Sequence, residues 1–374
     1  MKFIDLQAQS ERVKLSIEKR ISEILDSAHF INGPTVTEFE ISSAKYLGYK
    51  YGIGVASGTD ALLVTLMALN VGPNTRVFLP AYTYTATAEV VCLLGATPVF
   101  IDVDINSFLI NPSELRSALD AHSKPGDVVM TVDLFGEPCD YDTLAEILND
   151  FSVELIIDGA QSFGCSYKGK SDIATTRAFC TSFFPAKPLG CAGDGGAIYT
   201  SDEEFAIKCK SIKNHGMGQD KYDIKRIGLN ARLDTVQAAV LIEKMSIFNS
   251  ELNEKTALHS MYKEKLKDVL HSQRVHYQTR SALAQSVFRI PDNSNMKNYE
   301  LQSRLHDKAI PSMIYYPKTV ADQTAYSKDS IIFGELQVSR YLCERTIALP
   351  MHAYLNENDV SRIIDSILIC LDAN

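Results

Sequence analysis

The sequence predicts an α/β protein built on a mostly parallel sheet, with a smaller α+β unit after it, and three observations carry that expectation. Between Tyr51 and Thr200, short apolar runs bounded by Gly, Pro, Asn and Asp alternate with segments of helical periodicity. Runs such as Leu155-Ile156-Ile157 are apolar at every position, as strands buried on both faces require. From about residue 240 the alternation gives way to one long helical stretch and then to helices and isolated strands.

The elements follow in order. Val13, Ile17, Ile21, Ile24 and Leu25 share one face of a helix over 11–27. Asn32-Gly33-Pro34 punctuates the chain before a second helix, Val36 to Leu47. Seven strands are expected at Tyr51–Ala56, Arg76–Pro80, Pro98–Val103, Val128–Leu134, Val153–Asp158, Ala178–Phe184 and Gly196–Thr200. Helices join them: from Ser57-Gly58-Thr59 through Leu69, Thr85 to Leu94, Pro112–Ala121 opened by Asn111, and Tyr141–Asn149. No helix separates the last two strands, so an antiparallel edge is expected. A helical stretch from Val236 to about Leu270 leads to strands at Val287–Ile290 and Ser312–Tyr316 and a closing helix, Glu357–Leu371. The chain's 374 residues exceed what one core usually holds. A boundary near residue 245 is expected, dividing a large domain (1–245) from a small one (246–374).

Composition narrows the function. Net charge is −9 with Lys and Arg scattered, which argues against nucleic-acid binding, where clustered cations displace counterions. The start, Met1-Lys2-Phe3-Ile4-Asp5, has no apolar leader, and no segment approaches 18 apolar residues, so a cytoplasmic protein without membrane contact is expected. Eight cysteines lack any C-x-x-C spacing. They are read as buried reduced thiols, and no metal site is expected.

Three features carry chemistry. Ser57-Gly58-Thr59-Asp60 lies between a strand and a helix, where free amides can hold a phosphate; the same residues also make an ordinary helix cap. Asp158 ends an aliphatic strand, a costly place for a carboxylate unless it meets a cation or donors; a loop cap is the other reading. Lys187 follows an apolar strand and stands between Pro185-Ala186 and Pro188, ahead of Gly193-Asp194-Gly195-Gly196. Burial there favours its neutral, nucleophilic amine over a surface ammonium. A phosphate turn, a strand-end Asp and a rigid lysine loop, in that order, point to a pyridoxal-phosphate site.

On those residues the chain resembles the DegT/StrS family of sugar aminotransferases, nearly end to end. The likeness takes in Ser57–Leu62, Pro80–Val91, Ile157–Gly164, Thr181–Ile198, Asn214-His215-Gly216, Gly228–Ala239, Tyr316-Pro317 and Leu349–Leu355. It implies an aspartate-aminotransferase-like fold and pyridoxal 5'-phosphate as cofactor. Lys187 would be the Schiff-base lysine and Asp158 the partner of the ring nitrogen, with Gln161 beside the ring hydroxyl. Thr59 and Asp60 through their amides, and Ser182 through its hydroxyl, would hold the phosphate, and Tyr84 would stack on the ring. Asn230 would come from the neighbouring subunit of a homodimer. Phe3–Leu6, Cys180–Ile198 and Arg226–Ala239 are similar to the branch that makes 2,3-diamino uronic acids for surface polysaccharide. That branch implies L-glutamate as donor and UDP-2-acetamido-2-deoxy-3-oxo-glucuronate as acceptor, with His215, Arg232, Tyr315 and Tyr316 on the substrate side. An arginine suits the carboxylates of both, although an interface ion pair is its ordinary alternative.

Two departures stand out. Gly159 occupies a position where the family often has Ala, a change expected to be harmless. Tyr315 replaces a frequent His and exchanges a group that can be cationic near neutral pH for a phenol.

Overall fold

The computed structural model describes residues 1–171, 173, 176–274, 276, 278–326 and 328–372. Two helices lead, α1 (Leu6–Ser27) and α2 (Pro34–Leu47). Then come β1 (Tyr51–Val55), α3 (Gly58–Ala68), β2 (Arg76–Pro80), α4 (Ala86–Leu93), β3 (Thr97–Ile101), α5 (Pro112–His122), β4 (Val128–Val132), α6 (Tyr141–Leu148) and β5 (Glu154–Asp158). After a short β6 (Ser166–Tyr167) follow β7 (Ala178–Ser182), β8 (Gly196–Thr200), α7 (Glu203–Ile212) and the long α8 (Thr235–Leu266). The remainder holds β9 (His271–Ser272), β10 (Thr279–Arg280), β11 (Ser286–Arg289), α9 (Asn298–Asp307), β12 (Ile331–Ile332), α10 (Gln337–Arg345), β13 (Thr346–Leu349) and α11 (Glu357–Asp372).

Strand order in the main sheet is β1-β8-β7-β5-β4-β2-β3-β12. The seven expected strands are all there, and Ile331-Ile332 adds an eighth beside Val99 and Phe100. Two isolated apolar residues leave too short a mark to be read as a strand. The antiparallel member is β8, which lies between β1 and β7 rather than at the edge. Two antiparallel steps make β1 parallel to β7, so the carboxyl ends of β1, β2, β4, β5 and β7 share one side of the sheet.

Both faces are buried, as the continuous apolar runs demand. Leu155 and Ile157 enter the layer formed with α2, α5, α6 and α8. Ile156 enters the opposite layer with α3, α4 and α7. A third cluster draws only on residues from Leu258 to Cys370. All eight cysteines are free thiols, seven of them buried. No described helix is long and apolar enough to cross a membrane.

Local chemistry sets the ends. The Asp5 carboxylate accepts from the Ala8 amide at 3.0 Å and starts α1 at Leu6, ahead of the expected start at residue 11. Pro34 opens α2, and Gly48 closes it at φ 81°. Helix α8 stops at Leu266, short of Leu270. The strand expected at Ser312–Tyr316 is absent: only Met313 pairs, exchanging two hydrogen bonds with Ala348. Pro311 and Pro317 flank it without donors, and the Tyr315 carbonyl accepts from the Tyr82 hydroxyl instead.

Candidate active site

The site gathers where the carboxyl ends of the strands meet, the usual ligand position of such sheets. Ser57, after β1, caps α3 by accepting the Asp60 amide at 3.0 Å. The Asp60 amide is thereby engaged, and the first-turn amides of Gly58 and Thr59 are left without intrahelical acceptors. The Gly58 and Thr59 amides stand open to an anion at this turn, and the expected Asp60 amide would share its bond with the Ser57 cap. Gly58 lies against the end of β7, where a Cβ would stand 2.6 Å from the Ser182 Cβ. The Ser182 hydroxyl therefore borders the same turn.

Asp158 ends β5 and is 5% exposed. Its Oδ2 accepts from the Thr87 hydroxyl at 2.7 Å and its Oδ1 from the Ala160 amide at 3.2 Å. Burial raises its pKa; the two donors and the Lys187 charge pull the other way and only partly offset it. Such a carboxylate gains from a cation set against it. Thr87 was not legible as a site residue. Its hydroxyl also meets that of Thr83 at 3.0 Å, so Thr83 donates to Thr87 and Thr87 to Asp158.

Lys187 lies in the β7–β8 loop. The Lys187 amide bonds the Phe184 carbonyl at 2.9 Å, and the Cys191 amide bonds that of Phe183 at 2.8 Å. A side chain at Gly190 would strike the Pro185 carbonyl at 2.3 Å, so glycine is required for this closure. Burial lowers the Lys187 pKa, and the nearby Asp158 charge opposes the shift. The neutral amine is thus more accessible than on a surface lysine.

Gln161 is buried, its Oε1 accepting from the Phe135 amide at 2.6 Å and its Nε2 donating to the Tyr316 hydroxyl at 3.1 Å. Burial raises the Tyr316 pKa strongly. The exposed Tyr84 ring lies 6.0 Å from that of Tyr316. Tyr315 is half-buried, its ring 6.5 Å from Phe3. His215 and Asn230 are exposed on a ribbon in which Asn214 pairs with Asn230. Arg232 follows, its Nε buried without an acceptor. No hydrogen bond or ion pair among the described residues ties those three side chains to the Asp158–Lys187 group.

Gly159 is more than a harmless variant. A Cβ there would stand 2.2 Å from the Phe179 ring, which fills the space instead.

The donor set fits pyridoxal phosphate. First-turn amides and Ser182 form an anion cradle, Asp158 is a buried carboxylate for a ring cation, and Lys187 offers an amine. A model of the DegT/DnrJ/EryC1/StrS aminotransferase family matches residues 12–368, and the chain belongs to that family. It is a pyridoxal-phosphate-dependent aminotransferase with an aspartate-aminotransferase-like fold.

Among particular proteins, it is 38% identical over 364 residues to the UDP-2-acetamido-2-deoxy-3-oxo-D-glucuronate aminotransferase of Pseudomonas aeruginosa, covering 97% of this chain and 98% of that one. It is 32% identical to a pleiotropic regulatory protein of Geobacillus stearothermophilus, over 98% and 97% of the two chains. The crystal structure of a DegT DnrJ EryC1 StrS aminotransferase from Brucella abortus superposes with TM-score 0.94 at 41% identity, covering 99% of each chain.

Proposed function

We propose that this enzyme moves an amino group from L-glutamate to a nucleotide-linked keto sugar. The acceptor is UDP-2-acetamido-2-deoxy-3-oxo-D-glucuronate, and the 3-amino product serves surface-polysaccharide (O-antigen) assembly in the cytoplasm. The observation that carries the chemistry is the Lys187 amine, its pKa lowered by burial, within range of the buried Asp158 carboxylate. The acceptor rests on the full-length likeness to the Pseudomonas aeruginosa enzyme.

When bound, pyridoxal phosphate supplies the electron sink that makes an α-proton of the donor acidic. Lys187 would anchor the cofactor covalently and, once displaced by glutamate, act as the base that moves that proton. Asp158, held by Thr87 and Ala160, would keep the ring nitrogen protonated. Gly58, Thr59 and Ser182 would hold the phosphate, Gln161 would lie at the ring hydroxyl, and Tyr84 would cover the ring face. His215, Asn230 and Arg232 would serve the site of a second copy, making the working unit a homodimer. The exposed Tyr222 and Ile227 on the same ribbon support a partner-covered surface. Tyr315 and Tyr316 would face the sugar. A domain boundary near residue 245 is supported by the separate cluster from Leu258 to Cys370.

The test is to load the enzyme with glutamate, which bleaches its yellow colour, and then offer a panel of nucleotide keto sugars. Colour returns with the UDP 3-oxo-uronate; return with 4-keto-6-deoxy sugars alone would overturn the acceptor. The regulatory relative from Geobacillus stearothermophilus favours a second reading, binding without turnover. A coloured protein that glutamate does not bleach would support it.

A further inference from the structure

A chain of hydrogen bonds runs from α8 to Tyr316, beginning at Lys255, which lines one small cavity with Leu283, Ala284 and Lys187. The Lys255 Nζ donates to the carbonyls of Ala282 and Leu283, at 3.2 Å each. This 282–284 strap is bonded in turn to the turn after β4. The Ala282 amide reaches the Gly136 carbonyl at 2.9 Å, and the Ala284 amide reaches that of Phe135 at 3.1 Å. The Phe135 amide then donates to Gln161 Oε1, and Gln161 Nε2 to Tyr316.

Two observations show that the turn is held rather than relaxed. Phe135 and Leu283 both sit at positive φ, 64° and 46°, where side chains are disfavoured. Gly136, at φ 101°, leaves no room between the strap and Gln161. A Cβ there would stand 2.8 Å from the Leu283 nitrogen and 3.1 Å from the Gln161 carbonyl.

Direction matters here. A primary amide presents either oxygen or nitrogen to a neighbour, but a backbone N–H can donate only to the oxygen. Phe135 therefore turns the Gln161 NH₂ toward Tyr316. Having accepted that bond, the phenol must send its own proton away from Gln161. Tyr316 lies within reach of the Asp158 charge and packs beside Tyr84.

We propose that Lys255 is a positioning residue for the Gln161–Tyr316 pair, clamping the strap that holds the Phe135 amide in place. The inference rests on the proposed reading of the site as a covalent cofactor pocket. Glu251, on the same helix, supplies the carboxylate whose charge acts on this ammonium, and its own oxygens accept from Gln9 and Tyr354.

The experiment uses the full-length holoenzyme. Lys255→Met keeps the aliphatic stem and removes the donors, Lys255→Arg keeps the donors, and Gln161→Ala removes the far end of the relay. Lys255→Met is expected to stay yellow, to shift the pH midpoint of the visible band, and to lower kcat/KM for glutamate about ten-fold. Lys255→Arg should restore most of both. The double variant Lys255→Met/Gln161→Ala should be no worse than Gln161→Ala alone, because one relay is broken twice. If Lys255→Met is insoluble, Lys255→Gln takes its place in the cycle. Losses that multiply in the double variant, or a lowered Tm with band midpoint and kinetics unchanged, would overturn the proposal. A colourless wild type would instead overturn the cofactor reading, so the two failures are distinguishable.

Discussion

Replacing Thr87 by Val tests how Asp158 is kept ionised. The substitution preserves shape and removes the hydroxyl that lies 2.7 Å from Oδ2, leaving the 3.2 Å Ala160 amide as the neutral donor. A hydrogen bond to a charged group contributes about 1.5–3 kcal/mol, and the Thr83 hydroxyl loses its acceptor as well. At 1.36 kcal/mol per unit, the Asp158 pKa rises by about one to two further units above its already raised position. A raised acid pKa keeps the neutral form to higher pH, so the acid limb of the activity profile moves upward by the same amount. Cofactor affinity should fall about ten-fold or more, since the neutral acid no longer holds a ring cation. The assays are a pH profile of the glutamate half-reaction and cofactor titration by absorbance. A superimposable profile with affinity within about twofold of wild type would refute the Thr87–Asp158 account.

Other expectations follow from neighbouring residues. Burial pushes Glu137 up to about 7, and its Oε2 has no partner. A raised carboxyl favours the fold below its unfolded value near 4.5, and that contribution is lost as pH rises through about 7. Glu137→Gln should therefore gain up to about 3 kcal/mol over wild type by pH 8 and little at pH 4, read from chemical unfolding across pH. Gly159→Ala drives a Cβ into the Phe179 ring and should cost about 1–3 kcal/mol in urea unfolding. Phe179→Leu in the same chain should recover part of that loss, and simple additivity would contradict the contact. Lys187→Ala and Arg232→Ala chains are each expected to be inactive. Refolded together, they should regain roughly a quarter of wild-type activity if the site is shared across a twofold dimer, and none if each chain supplies its own arginine.

What could be read from the sequence was what leaves a local pattern. Leu155-Ile156-Ile157-Asp158 marked both the buried strand and its terminal carboxylate, because three aliphatic neighbours make an isolated charge costly. The proline-flanked Lys187 loop was legible for the same reason. Thr87 was not: it reaches Asp158 from 71 positions earlier, and only the packing of α4 against α3, β2 and β3 sets that distance. The Phe135 bond to Gln161 leaves no trace in the sequence, since a backbone amide is common to almost every residue. The Gly159–Phe179 pair is a steric match between adjacent strands, visible only once the register Ile157↔Phe179 and Asp158↔Cys180 is known. The Ser312–Tyr316 run satisfies β-propensity yet forms no strand, because a strand also needs a neighbour with free donors and acceptors.

The central claim is that Lys187, among several buried amines, is the one that carries the cofactor. Burial also lowers Lys244, and brings Lys255 to about 8, so each is a chemical competitor. Borohydride reduction of the yellow protein, followed by digestion and peptide mass analysis, locates the bond directly. The account predicts a phosphopyridoxyl group on the peptide containing Phe184-Pro185-Ala186-Lys187 and nowhere else. Finding it on Lys244 or Lys255, or finding no adduct, would contradict it.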